Sequence, residues 1–190
     1  MTDNFFPIRT FLAIPVKILE WQTLSHFLSD HYPPFIITHW IPTQKHHLTL
    51  KFLGNSYQNQ LSKLANILKK SFQHIPAFQC SAHCLTKLPI HQSPRFLVLA
   101  VQPDSRLTEL AEICDQAALS CDFPASRHSF FPHISLARFP QSQKIETFLP
   151  KNNIKPVTFS IKNIHLFISH QKSKQPVYQT VKVFSLQTVT

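Results

Sequence analysis

Two short stretches constrain this chain more than anything else in it. They are His47-Leu48-Thr49-Leu50 and His133-Ile134-Ser135-Leu136, set 86 residues apart (47 to 133). Side chains two apart in a strand share a face. Each stretch therefore predicts a strand with an imidazole and a hydroxyl on one face and two aliphatic groups on the other. The same offset superposes Arg9-Thr10-Phe11-Leu12-Ala13-Ile14 on Arg95-Phe96-Leu97-Val98-Leu99-Ala100. One period across two separate segments predicts a duplicated unit. Two such units facing each other bring both His-x-Thr/Ser strands to one central cleft.

Along the chain, residues 8–15 read as a strand. A helix is expected to open after Pro15 and run to about Asp30. The prolines at 33 and 34 break the chain, and Phe35 to Ile41 reads as a strand. The first motif strand is expected to stop at Gly54-Asn55. Leu61, Leu64, Ile67 and Leu68 recur at helical spacing over 58–72. Phe78–Leu88 and Arg95–Val101 read as strands around a Pro89–Pro94 turn. Leu107, Leu110, Ala111 and Cys114 mark a further helix, with Ser105 as its expected cap. Pro124 to Arg127 is a loop before the second motif, and 142–149 a short helix. Val157–Ser169 and Val177–Leu186 predict a final hairpin. The class is α+β, a single domain over 1–190 with mainly antiparallel sheets flanked by helices.

Composition narrows the function. One glycine against fifteen prolines leaves no phosphate-cradling glycine loop of the P-loop or dinucleotide type. The formal net charge is +10, which favours a polyanionic partner. No Asp or Glu occurs between Asp30 and Asp104, between Asp122 and Glu146, or after Glu146, so both motifs lie in acid-free stretches. No apolar run approaches the ~20 residues of a membrane span, and the N-terminus lacks the basic start of a signal peptide. A cytoplasmic, monomeric protein with reduced cysteines is the expectation.

Two histidines can divide acid and base work near neutral pH, and a hydroxyl two residues along can hold a phosphoryl oxygen. That set suits in-line attack of water on a strained cyclic phosphate, with no nucleophilic serine, cofactor or metal. His46 points opposite to His47 on a regular strand and is left out of the pair.

Arg9 to Ile14, His47-Leu48-Thr49-Leu50-Lys51-Phe52-Leu53-Gly54 and Phe131-Pro132-His133-Ile134-Ser135-Leu136-Ala137-Arg138 closely resemble the two-histidine (2H) phosphoesterases. Within these they look most like the bacterial RNA 2′,3′-cyclic phosphodiesterases, historically called 2′-5′ RNA ligases. The resemblance covers nearly the whole chain. It implies a bilobal fold with pseudo-twofold symmetry and metal-free hydrolysis of an RNA 2′,3′-cyclic phosphate to a 2′-phosphate. It also implies His47 as proton donor, His133 as proton acceptor, and Thr49 and Ser135 as phosphate ligands. Ser135 departs from the commoner threonine and lacks the β-branch that stiffens χ1. Arg138 matches a family arginine, but strict alternation sets it opposite His133, so only a bulge or a strand end turns it to the cleft.

Three other readings stand beside this one. Phe130, Phe131 and Tyr178 are candidates for stacking on bases, as in an RNA-binding module. Cys80, His83 and Cys84, with His91 nearby, form a partial zinc pattern; on a regular strand Cys80 and Cys84 share a face. The two histidines could also join a 2′,3′-cyclic end to a 5′-hydroxyl, or hydrolyse a cyclic phosphodiester on a nucleotide-sized substrate.

Overall fold

The computed structural model describes residues 7–31, 39–90, 93–139, 154–172 and 175–188. Its strands are β1 (Ile8–Pro15), β2 (His39–Trp40), β3 (His47–Ser56), β4 (Phe78–Leu88), β5 (Phe96–Val101), β6 (His133–Arg138), β7 (Val157–Ile161), β8 (Asn163–Lys172) and β9 (Gln175–Ser185). The helices are α1 (Trp21–His31), α2 (Gln58–Phe72) and α3 (Ser105–Leu119). The expected helix over 142–149, most of the expected strand from Phe35 and His91 lie outside the described residues.

All nine strands join one antiparallel sheet in the order β7-β4-β5-β6-β3-β1-β8-β9, with β2 beside β6. That order is symmetric about the β6–β3 junction. There Leu48 pairs with Ile134, and these two residues are themselves one repeat apart. Going outward, β1 corresponds to β5 and β8 to β4. The predicted duplication is thus written into the strand order, and the two motif strands meet at its centre.

The apolar positions build one contiguous core. Leu12, Ile14, Leu48, Leu50, Ile134 and Leu136 face Leu64, Leu68, Phe72, Leu107, Leu110 and Cys114 of α2 and α3. Burying an aliphatic side chain of this size is worth about 1.5–3 kcal/mol. The helices therefore cover one face of the sheet and leave the histidine face open.

Several boundaries differ from expectation. Residues 16–20 are not helical: Val16 and Ile18 are buried while Leu19 is exposed, an extended alternation, and the Val16 amide donates to the His46 carbonyl at 3.0 Å. The cap of α3 is Asp104, whose carboxylate accepts from the Arg106 amide at 2.9 Å; Ser105 is the first helical residue. Gly54 does not end β3. It takes φ +76 within the strand, next to a register shift against β1. The segment from Val157 is two strands broken at Lys162: β7 pairs with β4, and β8 pairs with β1 and β9. Only β8–β9 is the predicted hairpin.

Candidate active site

Each motif imidazole is oriented by a carbonyl just upstream. His47 Nδ1 lies 2.7 Å from the Lys45 carbonyl, and His133 Nδ1 lies 2.8 Å from that of Phe131. A carbonyl only accepts, so each Nδ1 carries the hydrogen. Each Nε2 is left as the atom that can take or give a proton. Lys45 and Phe131 are again one repeat apart, so the two orienting contacts are symmetric copies.

Burial lowers the pKa of both imidazoles below the ordinary histidine value, against the raising effect of these carbonyls. The charge of His133 lowers His47 further, so the two rings sense each other across the cleft. Thr49 and Ser135 are half-buried, as are the two histidines. Among the described residues neither hydroxyl is engaged by a protein partner.

Both motif strands carry a bulge, and the bulges also repeat. On β3, Ala13 pairs with Thr49 but Leu12 with Lys51, so Leu50 is the extra residue. On β6, Val98 pairs with Ser135 but Leu97 with Ala137, so Leu136 is the extra residue. A bulge resets the alternation of faces. Arg138 consequently shares the cleft face with His133 and Ser135. Its guanidinium rests over the Phe96 ring at 5.3 Å and lowers the pKa of Tyr178, which burial raises. The bulge that Arg138 required is present.

The first-lobe bulge has two effects that alternation hides. Lys51 turns into the core and is 3% exposed. Phe52, the repeat partner of Arg138, turns to the cleft face, 70% exposed, beside the Phe11 ring at 6.0 Å. Phe52 is the site residue that sequence reasoning missed. Its signal was the shared offset from the two histidines.

The stacking candidates separate. Tyr178 stands edge-on to His47 (5.3 Å, 83°) and to Phe11 (5.1 Å, 74°), so it walls the site. Phe131 stacks on His133 (5.8 Å, 24°) and remains 40% exposed. Phe130 packs against the core instead. His46 is buried behind the site, with Nε2 near the Ile41 carbonyl at 3.1 Å.

The partial zinc pattern comes apart through a third bulge. Ala82 pairs with Val101 and Cys84 with Ala100, which makes His83 the extra residue of β4. Cys80 is then buried and Cys84 exposed, on opposite faces. Burial pushes the Cys80 thiol up to about 12. Among the described residues no three His, Cys, Asp or Glu side chains group to hold a metal ion. No described helix is long and apolar enough to cross a membrane.

Beside the motifs, a groove of about 490 Å³ opens next to Pro15, the cross-strand neighbour of His47. Lys17, Lys162, His165 and one acid, Glu20, line it. Lys151 and Lys174 lie outside the described residues.

The sequence profile described as the 2′-5′ RNA ligase superfamily matches residues 18–173. The RNA 2′,3′-cyclic phosphodiesterase of Thermotoga maritima is 23% identical over 175 residues, covering 92% of this chain and 93% of that protein. The protein of the same name from Geobacillus stearothermophilus is 26% identical over 181 residues, and the chain spans only 56% of its length. The crystal structure of E. coli LigT complexed with 3′-AMP superposes with a TM-score of 0.75 at 23% identity, covering 95% of this chain and 98% of that one. That likeness establishes the shared fold.

Proposed function

The chain belongs to the 2′-5′ RNA ligase superfamily, and from that premise we propose that it hydrolyses RNA 2′,3′-cyclic phosphate ends to 2′-phosphomonoesters. The observation that carries this reading is the matched pair of imidazoles, each with Nδ1–H held by a carbonyl and Nε2 left for proton transfer. In the reaction His133 Nε2 takes a proton from water. The oxygen attacks phosphorus in line with the ribose 3′-oxygen, and that P–O bond breaks as His47 Nε2–H protonates the departing oxygen. Thr49 and Ser135 donate hydrogen bonds to the non-bridging oxygens, and Arg138 offsets the charge that develops on them. Phe52 and Phe131 offer ring faces to a base, and the lysines beside the groove favour a phosphate backbone.

A half-exposed site admits water, which at ~55 M outcompetes a 5′-hydroxyl; ligation needs a drier cleft. Hydrolysis is therefore the forward reading, in place of ligation or of RNA binding without turnover. The protein works without a metal, in the cytoplasm. Hard cations seek carboxylates, and the motif stretches contain none.

The test is turnover of an oligoribonucleotide with a 2′,3′-cyclic end, with the product end identified. His47→Ala and His133→Ala should each stay folded and lose ~10²- to 10⁴-fold in kcat. Wild-type turnover from either folded variant would refute the assignment.

A further inference from the structure

We propose that Lys51 is a positioning residue for His133, acting from the opposite face of the sheet; the proposal rests on the two-histidine reaction above. A buried ammonium is costly unless it is fully partnered. Lys51 spends its three donors on the Asp115 carboxylate, the Pro124 carbonyl at 2.8 Å and the Ser126 hydroxyl at 3.0 Å. Ser126 in turn donates to Asp115 at 2.7 Å. Burial would raise the Asp115 carboxyl, but the hydrogen bonds from Lys51 and Ser126 hold it below the ordinary range.

Core packing does not demand this lysine. Its counterpart one repeat on is Ala137, fully buried. What differs between the lobes is how each orienting carbonyl is held. The Lys45 carbonyl sits in a 3-10 turn closed by Lys45 N to Pro42 O at 2.8 Å and His46 N to Thr43 O at 3.0 Å. The Phe131 carbonyl ends a longer connection from α3. Among the described residues no backbone–backbone hydrogen bond involves Pro124 to Phe131. Lys51 anchors that connection at Pro124 and Ser126. All three of its partners belong to the second lobe, while Lys51 shares a strand with His47. The ammonium therefore ties the strand of one imidazole to the segment that aims the other. Direct pairing between β3 and β6 is limited to Leu48 and Ile134.

The test compares wild type with Lys51→Met and with Lys51→Met/Asp115→Leu. The double variant removes both charges and keeps the experiment usable if the single variant fails to fold. With substrate carrying a cyclic phosphate end, kcat should fall on the order of 100-fold, as for a misplaced catalytic group. KM and the affinity for inorganic phosphate should hold. In NMR titrations the His133 imidazole should shift while that of His165 does not. A folded double variant with wild-type kcat overturns the proposal. So does a loss of kcat, KM and melting temperature together with the His133 titration unmoved, because that marks a purely structural lysine. If wild type leaves cyclic ends intact, the hydrolytic reading fails by itself; the His133 titration still decides whether Lys51 positions that ring.

Discussion

His46 should link the stability of this fold to pH in a way that one substitution isolates. Its ring is 3% exposed, packed edge-on to Trp21 at 4.7 Å, and Nδ1 is buried with no hydrogen-bond partner. Burial lowers its pKa from 6.5 to about 4, against a raising contribution from the Ile41 carbonyl, with His47 adding a little to the depression. Between those values the unfolded chain binds a proton that the folded chain refuses, so stability rises with pH across the window. The contribution is complete above pH 6.5 and is lost as pH falls toward 4. At about 1.4 kcal/mol per unit, a depression of this size is worth on the order of 3 kcal/mol. His46→Met removes the titration. It gives up one hydrogen bond of about 1 kcal/mol and relieves the orphaned Nδ1, so stability at pH 7.5 should change little. Urea unfolding from pH 7.5 to 4.5, at constant m, reads the difference. The wild type should lose stability more steeply than the variant over pH 6.5 to 4.5. His47, His133 and His165 are also lowered, but they are common to both proteins and cancel in the comparison. Parallel curves for the two proteins would refute the assignment of this slope to His46.

Two further outcomes follow from the site. Full turnover should survive excess chelator; a loss on chelation restored by one divalent ion would overturn the metal-free mechanism. Binding of a cyclic-ended oligoribonucleotide should weaken as salt rises from 50 to 300 mM, with a slope of about −0.7 per phosphate contact on a single strand. An affinity flat with salt, or equal to that of a mononucleotide, would leave the lysines beside the cleft without a part in binding.

The sequence by itself determined what local pattern and repetition can encode. The spacing of leucines placed α2 over Gln58–Phe72, and the period of two made His47 face with Thr49 and His133 with Ser135. The offset of 86 pointed to a duplicated unit with both motif strands at one central cleft, and the strand pairing then showed the symmetric order. What the sequence could not carry were relations between strands. A bulge exists only as two residues opposite one on a neighbour, so nothing within His47–Gly54 shows that Leu50 is the extra residue. That single slip sends Lys51 to the core and Phe52 to the cleft, and its copy at Leu136 turns Arg138 inward. The same effect at His83 parts Cys80 from Cys84. The division of Val157–Lys172 between two ends of the sheet was likewise set by which edges remained to be paired. Lys51 meets Asp115 across 64 residues of chain: a buried charge accepts whichever partner the fold delivers, and only the tertiary structure decides which one that is.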